Sequence, residues 1–357
     1  MKRSRMKRRR TPVGASPGTL IADPSASRSA LRLTLVSPEK CKTIDNASLA
    51  DVSAACEKWP LLWLDCIGLG SVDLIKEIGR LFKLHPLALE DVVNTGQRPK
   101  VDFFEDHAFV VLSMIDDMAT HRYEQVSVFF GNKFVVTFQE RVGDPFDPVR
   151  KRIDGPMPNR LRSRGADYLA YALIDAIVDS YFPPVEAASE AVDGIEDQML
   201  NTPQQGQMRQ LHELRRTAHG LKGVLWPLRD ALATLIRSEA PCVSADTKIF
   251  LNDTLDHAMR LIELVETQRD TITSLMEMHL SLSQARTNDI ISYLTIVSVI
   301  FMPLTFLVGV WGMNFSPDAS PWNMPELRAY YGYPLALLFM AAIALGLVGV
   351  FKWKKWL

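Results

Sequence analysis

The chain has 357 residues, with 40 Lys and Arg against 41 Asp and Glu and a formal net charge of −1. That length suits about two or three structural units rather than one small domain; no nucleic acid is expected as a partner, although the basic N-terminal tail could touch anionic lipid or nucleic acid electrostatically. The four cysteines, Cys41, Cys56, Cys66 and Cys242, form no CxxC pair and match no zinc spacing, which leaves free thiols in a reducing compartment.

Charge is unevenly distributed. Seven of the first ten residues, MKRSRMKRRR, are basic, and Thr11 to Ala30 is rich in Pro, Ser, Gly and Ala. No continuous apolar run follows, so residues 1–30 are predicted as a disordered basic tail and not as a secretory signal. Residues 31–164 read as an α/β domain. RLTLV, PLLWLDC, KVDFFEDHAFVVLSMI, YEQVSVFF and KFVVTFQE have the β-branched and aromatic content of strands. SVDLIKEIGRLFK and HPLALEDVVN read as helices between them, with Pro86 at a helix start.

Strand signals stop near Gly165, and residues 165–289 read as a helical region. One helix is interrupted, or restarts, at Pro183-Pro184; a second runs from Pro203 to about Ser238; a third begins near Ser244. No Pro or Gly lies between Pro241 and Pro303. Leu251, Leu255, Ala258, Ile262, Val265, Ile272 and Met276 recur at steps of three and four or their sums, as on one apolar helix face. Continued into the apolar run that follows, this helix would have about 65 residues and a length on the order of 100 Å. A rod of that length needs neighbours, which points to self-association.

Two uncharged runs close the chain: Ile290 to Val310 and Ala329 to Phe351. Each is long enough to cross the hydrocarbon core. The spans are set at 290–312 and 332–351, joined by a loop at 313–331 and followed by basic residues 352–357. Lys352, Lys354 and Lys355 place the C-terminus in the cytoplasm, and two spans place the large N-terminal part there too. Trp311, Trp322, Tyr330, Tyr331 and Tyr333 would form the outer aromatic belt, with Trp353 and Trp356 the inner one.

The first span carries a small or weakly polar stripe: Asn288, Ile291, Thr295, Ser298, Met302, Thr305, Gly309 and Gly312. Such a stripe serves either close helix packing or a path shared between subunits. Pro303 removes a backbone hydrogen bond within the span, a change tolerated where the backbone is buried or faces water. At its outer end Gly312 allows the helix to terminate in a conformation that other residues resist, and Asn314 adds a neutral amide. No GxxxxGK[ST] phosphate cradle and no Ser-His-Asp or Cys-His arrangement is present, so no enzyme is expected. His212, His219, His257 and His279 are read as surface or packing residues.

FMPLTFLVGVWGMNF at 301–315, MPEL at 324–327, YGYP at 331–334 and the terminal KWKKWL resemble the CorA family of magnesium and cobalt transporters. HPLALEDVVNTGQRPKVDFFED at 85–106, YALIDAIVDSYF at 171–182 and VETQRDTITSLMEMHLSLSQARTNDI at 265–290 extend the resemblance over about residues 31–357. Trp311 stands where the family's Tyr-Gly-Met-Asn motif has Tyr. The resemblance implies an α+β fold: a cytoplasmic α/β domain, long helices and two C-terminal transmembrane helices, assembled as a homopentameric, funnel-shaped channel in the inner or plasma membrane. It implies uptake of Mg2+, and of Co2+, driven by membrane potential. It assigns Gly312, Met313 and Asn314 to the selectivity filter and the small stripe, with Leu294, to the pore. It makes Glu90, Asp91, Asp175, Asp179 and Asp253 candidates for regulatory Mg2+ between subunits, and gives Glu277 and Glu326 the role of attracting cations. No organic cofactor is expected; the partners are other copies of the chain, membrane lipid and the transported ions. Two rivals are a zinc transporter of the same two-span plan and a poreless metal sensor anchored in the membrane.

Overall fold

The computed structural model describes residues 14, 16–117, 122–157, 159–201, 206–316, 318, 320, 322–354 and 356. The basic run at 1–10 and Lys355 lie outside them. The chain divides into two compact units, Met1–Leu275 and Met276–Leu357.

The first unit is built on one mixed sheet. Its strands are β1 (Ala30–Val36), β2 (Cys41–Asp45), β3 (Leu61–Ile67), β4 (Lys100–Phe103), β5 (His107–Asp117), β6 (Arg122–Gly131) and β7 (Phe134–Gln139). Their order is β2-β1-β3-β7-β6-β5-β4, with β3 and β7 parallel and the other neighbours antiparallel. Alternation along the strands feeds two cores. Leu62 and Leu64 of β3 face a layer that includes Val52, Ile75, Ile78, Leu89 and Val92, while Leu61 and Trp63 face the opposite one. The first layer comes from α1 (Leu49–Lys58), α2 (Val72–Leu81) and α3 (Pro86–Val93). Gly79 of α2 allows α3 to close in, since a Cβ there would overlap Leu89 Cδ1.

On the other face lie α4 (Asp147–Asp154), the short α5 (Arg160–Ser163), α6 (Ala166–Asp179), α7 (Phe182–Asn201), α8 (Gln207–Arg237) and the first part of α9 (Ala245–Trp311). Pro183 and Pro184 fall in the first turn of α7, where the missing N–H groups have no intrahelical role. Arg150 ties α4 to the sheet, with Nη2 2.9 Å from Asp65 Oδ2 and 2.7 Å from Asp144 Oδ2. Thr137 Oγ1 and Gln139 Nε2 each donate to Asp65 Oδ1 at 2.7 Å. Asp65 and Asp144 are therefore buried with a cation and donors in place, the condition under which burial of charge is tolerated.

The expected apolar face of α9 is present, and Leu251, Ala258, Ile262, Val265 and Ile272 are buried. Through Val265 it packs into its own chain's core, so that part of the rod finds its neighbours without self-association. From Ser283 to Thr295 every residue is exposed in the single chain, and it is there that a rod of this length calls for further partners. α9 runs unbroken through Pro303. Residues 16–29, within the stretch expected to be disordered tail, are hydrogen-bonded to the α/β region.

The second unit holds the end of α9, a short 3-10 turn (Pro325–Arg328) and α10 (Gly332–Trp353). By length and composition, α9 and α10 can each cross a membrane.

Candidate metal pathway and acid sites

From Ile290 onward, the less exposed positions of α9 are Ile296, Ile300, Pro303, Leu304, Leu307 and Trp311, one helix face. Those of α10 after its first turn are Ala336, Met340, Ile343, Ala344, Leu347 and Phe351, again one face. Trp311 meets Phe339 of α10 edge-on at 6.4 Å. The two faces therefore turn to each other.

The small stripe is a different side of α9. Asn288, Ile291, Leu294, Thr295, Ser298, Met302, Thr305, Gly309 and Gly312 are all exposed in the single chain. Thr295 Oγ1 donates to the Ile291 carbonyl at 2.7 Å and Ser298 Oγ to that of Leu294 at 2.8 Å. Gln284 Nε2 donates to Asn288 Oδ1 at 3.0 Å. These bonds satisfy the hydroxyl protons locally and leave oxygen lone pairs for a further donor, such as the water around a cation.

The helix end differs from expectation. Gly312 has no left-handed φ. Its N–H completes the last helical bond to the Val308 carbonyl at 2.8 Å, and Met313 N–H reaches the Val310 carbonyl at 3.2 Å. Glycine here gives room: a Cβ would crowd the Val308 oxygen at 3.0 Å. Met313 and Asn314 are exposed beyond it. Glu326 lines a cavity of about 430 Å3 with Trp311, Gly312, Tyr330 and Tyr333. Glu277 is exposed on α9. Tyr330, Trp322, Tyr333 and Trp353 are also exposed, as belt residues must be.

In the first unit, Asp175 and Asp179 lie four residues apart on α6 and share a face. His257 of α9 joins them, and one ligand atom from each lies within 4.8 Å of the other two. His257 Nδ1 is 3.1 Å from Asp179 Oδ1, and Thr254 Oγ1 donates to Asp175 Oδ1 at 2.8 Å. Burial, with Asp179 and Asp253 adding like charge, raises the Asp175 carboxyl above its ordinary range despite the Thr254 bond. A cation would relieve that penalty. The set of two carboxylates and one imidazole can take a divalent metal, with the imidazole suiting Co2+ more than Mg2+. The position also fits the sequence reading of His257 as a surface or packing residue, since its ring meets Phe182 edge-on at 5.8 Å.

Glu90 and Asp91 lie on α3, outside this grouping. Asp91 pairs with Lys100 Nζ at 2.8 Å and accepts from Gln97 Nε2 at 3.0 Å. Glu90 Oε2 accepts the Gly18 N–H at 2.8 Å. Thus the single chain brings Asp175 and Asp179 together, with Asp253 near Asp175, and keeps Glu90 and Asp91 in a separate set of contacts.

An α/β domain followed by long helices and two apolar spans, with a weakly polar stripe ending at Gly-Met-Asn, defines a two-span membrane protein of the metal-transporter type. The chain belongs to the CorA-like Mg2+ transporter protein family, which it matches over residues 60–354. It is 41% identical over 300 residues to the cobalt/magnesium transport protein CorA of Thermotoga maritima, covering 83% of each chain. With the protein of the same name from Methanocaldococcus jannaschii it shares 24% identity over 328 residues, 91% of this chain and all of that one. The complete structure of the M. jannaschii CorA magnesium transporter superposes with a TM-score of 0.77 at 22% identity, covering 92% of this chain and 98% of that one.

Proposed function

We propose that the chain assembles as a homopentamer that takes up divalent cations, chiefly Mg2+ and also Co2+, across the inner or plasma membrane, with both termini in the cytoplasm. Five copies of α9 turn the stripe from Asn288 to Gly312 toward a shared axis, and α10 stands outside them. The observation that carries this reading is that the stripe is not the side of α9 turned to α10. In a lone helix pair it would face lipid, which gains nothing from hydroxyls and glycines.

Mg2+ holds its water tightly and dehydrates reluctantly. A carboxylate ring at the mouth would hold the ion and slow its release. A ring of Asn314 amides and nearby carbonyls hydrogen-bonds the hydrated ion firmly enough to recruit it and weakly enough to let it go. Leu294 and Met302 form apolar constrictions that close by dewetting, and Glu277 and Glu326 enrich cations near the two ends of the path. The membrane potential supplies about 2.3 kcal/mol per charge per 100 mV, or about 4.6 for a divalent ion. Transport through this path requires no phosphate chemistry.

Closure follows when intracellular Mg2+ binds between subunits, shared by Asp253 of one copy and Glu90 and Asp91 of the next, with Asp175, Asp179 and His257 as a second position. Metal neutralises the repulsion among these acids and fastens the interface; its loss loosens the assembly, a population shift set by differential affinity. The test is Mg2+ and Co2+ flux into proteoliposomes at a set inside-negative potential. The purified protein should carry both ions and be inhibited by Mg2+ inside, and Asn314→Ala should lose most of the flux while still assembling. Normal Mg2+ flux through an assembled Asn314→Ala pentamer defeats the amide-ring selectivity.

A further inference from the structure

We infer that residues 16–29 form a strap that competes with Mg2+ for Glu90 and so raises the internal concentration at which transport shuts off. The inference rests on the reading of Glu90 as a ligand of the regulatory ion.

The strap is seated by complementary backbone geometry. The Gly70 N–H donates to the Ser27 carbonyl at 2.9 Å, and the Ser29 and Ser71 backbone N–H groups each donate to the other's hydroxyl at 3.2 Å. A Cβ at Gly68 would lie 2.6 Å from the Arg28 carbonyl oxygen, and one at Gly70 would lie 2.8 Å from that of Ala26. The turn after β3 is therefore shaped to accept this segment. Asp23 Oδ1 holds the bend, accepting the Ser25 N–H and hydroxyl at 2.8 and 2.7 Å. Leu20 and Ala22 then pack on the core beneath α2 and α3. The strap reaches the acid at Gly18, whose φ of +82° aims its N–H at Glu90 Oε2, 2.8 Å away, and whose missing Cβ leaves room for Pro86.

A carboxylate that accepts an N–H is stabilised as an anion and offers that lone pair less readily to a hydrated cation. The Gly18 N–H occupies one lone pair of Oε2, and a hydrated cation that takes Glu90 through that lone pair must displace it. Lys100 on Asp91 acts in the same sense on the neighbouring acid. Linkage makes the effect reciprocal: if the strap weakens Mg2+ binding, Mg2+ loosens the strap by the same factor. One charge-assisted hydrogen bond makes that factor about tenfold.

The test uses the full chain in proteoliposomes. Gly18→Pro has no N–H, and its fixed φ cannot reach the native value. It should be half-inhibited at an internal Mg2+ concentration about tenfold lower than the unsubstituted protein. As a second measurement that needs no substitution, hydrogen exchange of peptides covering 16–29 should speed up when Mg2+ is added. An unchanged or higher half-inhibiting concentration in Gly18→Pro, beside normal inhibition of the parent, overturns the inference and leaves Mg2+ closure standing. Exchange in 16–29 that Mg2+ slows or leaves alone overturns it equally. A parent protein that internal Mg2+ does not inhibit removes the closure reading and the inference with it.

Discussion

Replacing Glu124 with Gln should stabilise the α/β domain, and increasingly so as pH rises. Glu124 is 4% exposed on β6. Its Oε1 accepts the Arg141 N–H at 2.8 Å, but among the described residues no cation pairs with it: the Arg141 and Arg122 guanidinium groups both turn to Asp116. Burial, followed by the like charges of Glu140 and Asp116, pushes its carboxyl from 4.5 up to about 7, against the Arg141 bond. The folded state thus holds the proton more tightly than the unfolded chain. Below pH 4.5 both states are protonated and nothing is lost; as pH rises to 7 and beyond, the folded state increasingly bears a buried charge. The gap between 4.5 and about 7, at about 1.4 kcal/mol for each tenfold, amounts to about 3 kcal/mol lost by pH 8. Glutamine keeps an acceptor for Arg141 and cannot ionise. Urea unfolding of the full-length protein in detergent, followed by tryptophan fluorescence, should show Glu124→Gln more stable than the parent at pH 8 and close to it at about pH 4.5. An advantage that does not change between those pH values refutes the reasoning.

Other substitutions probe the framework that carries the sites. Arg150→Met leaves Asp65 and Asp144 buried without their cation and should cost about 3–5 kcal/mol in the same unfolding measurement. Gly79→Ala drives a methyl into Leu89 and should cost about 1–3 kcal/mol; because Leu89 precedes Glu90 on α3, the half-inhibiting Mg2+ concentration should move as well, which flux at graded internal Mg2+ will read.

The strands that carry the cores were legible because valine, isoleucine, leucine and phenylalanine dominate them. β2 was not: CKTID is largely exposed and offers too short an alternation. KVDFFEDHAFVVLSMI reads as one strand, but the chain reverses at Glu105-Asp106, closed by the Phe104 N–H on the His107 carbonyl at 2.9 Å; no glycine or asparagine marks that turn. α1 is short and weakly apolar, and its sign was the Ser48–Asp51 capping box. For the sites, the two spans, the small stripe and the Gly-Met-Asn end stand out in the primary structure, since composition and spacing alone express them. His257 and the Gly18 contact do not. Each depends on residues more than 70 positions apart meeting in space, and no local pattern encodes that.

The central claim is that the small stripe of α9 faces a water-filled path and the side toward α10 does not. Single cysteines at Met302 and Thr305, compared with Leu304 and Leu307, test it most directly in reconstituted protein whose four native cysteines are replaced by serine. A charged, membrane-impermeant thiol reagent should modify and block the Met302 and Thr305 variants during transport, and spare those at Leu304 and Leu307. Block at Leu304 and Leu307 with protection at Met302 and Thr305 would contradict the account.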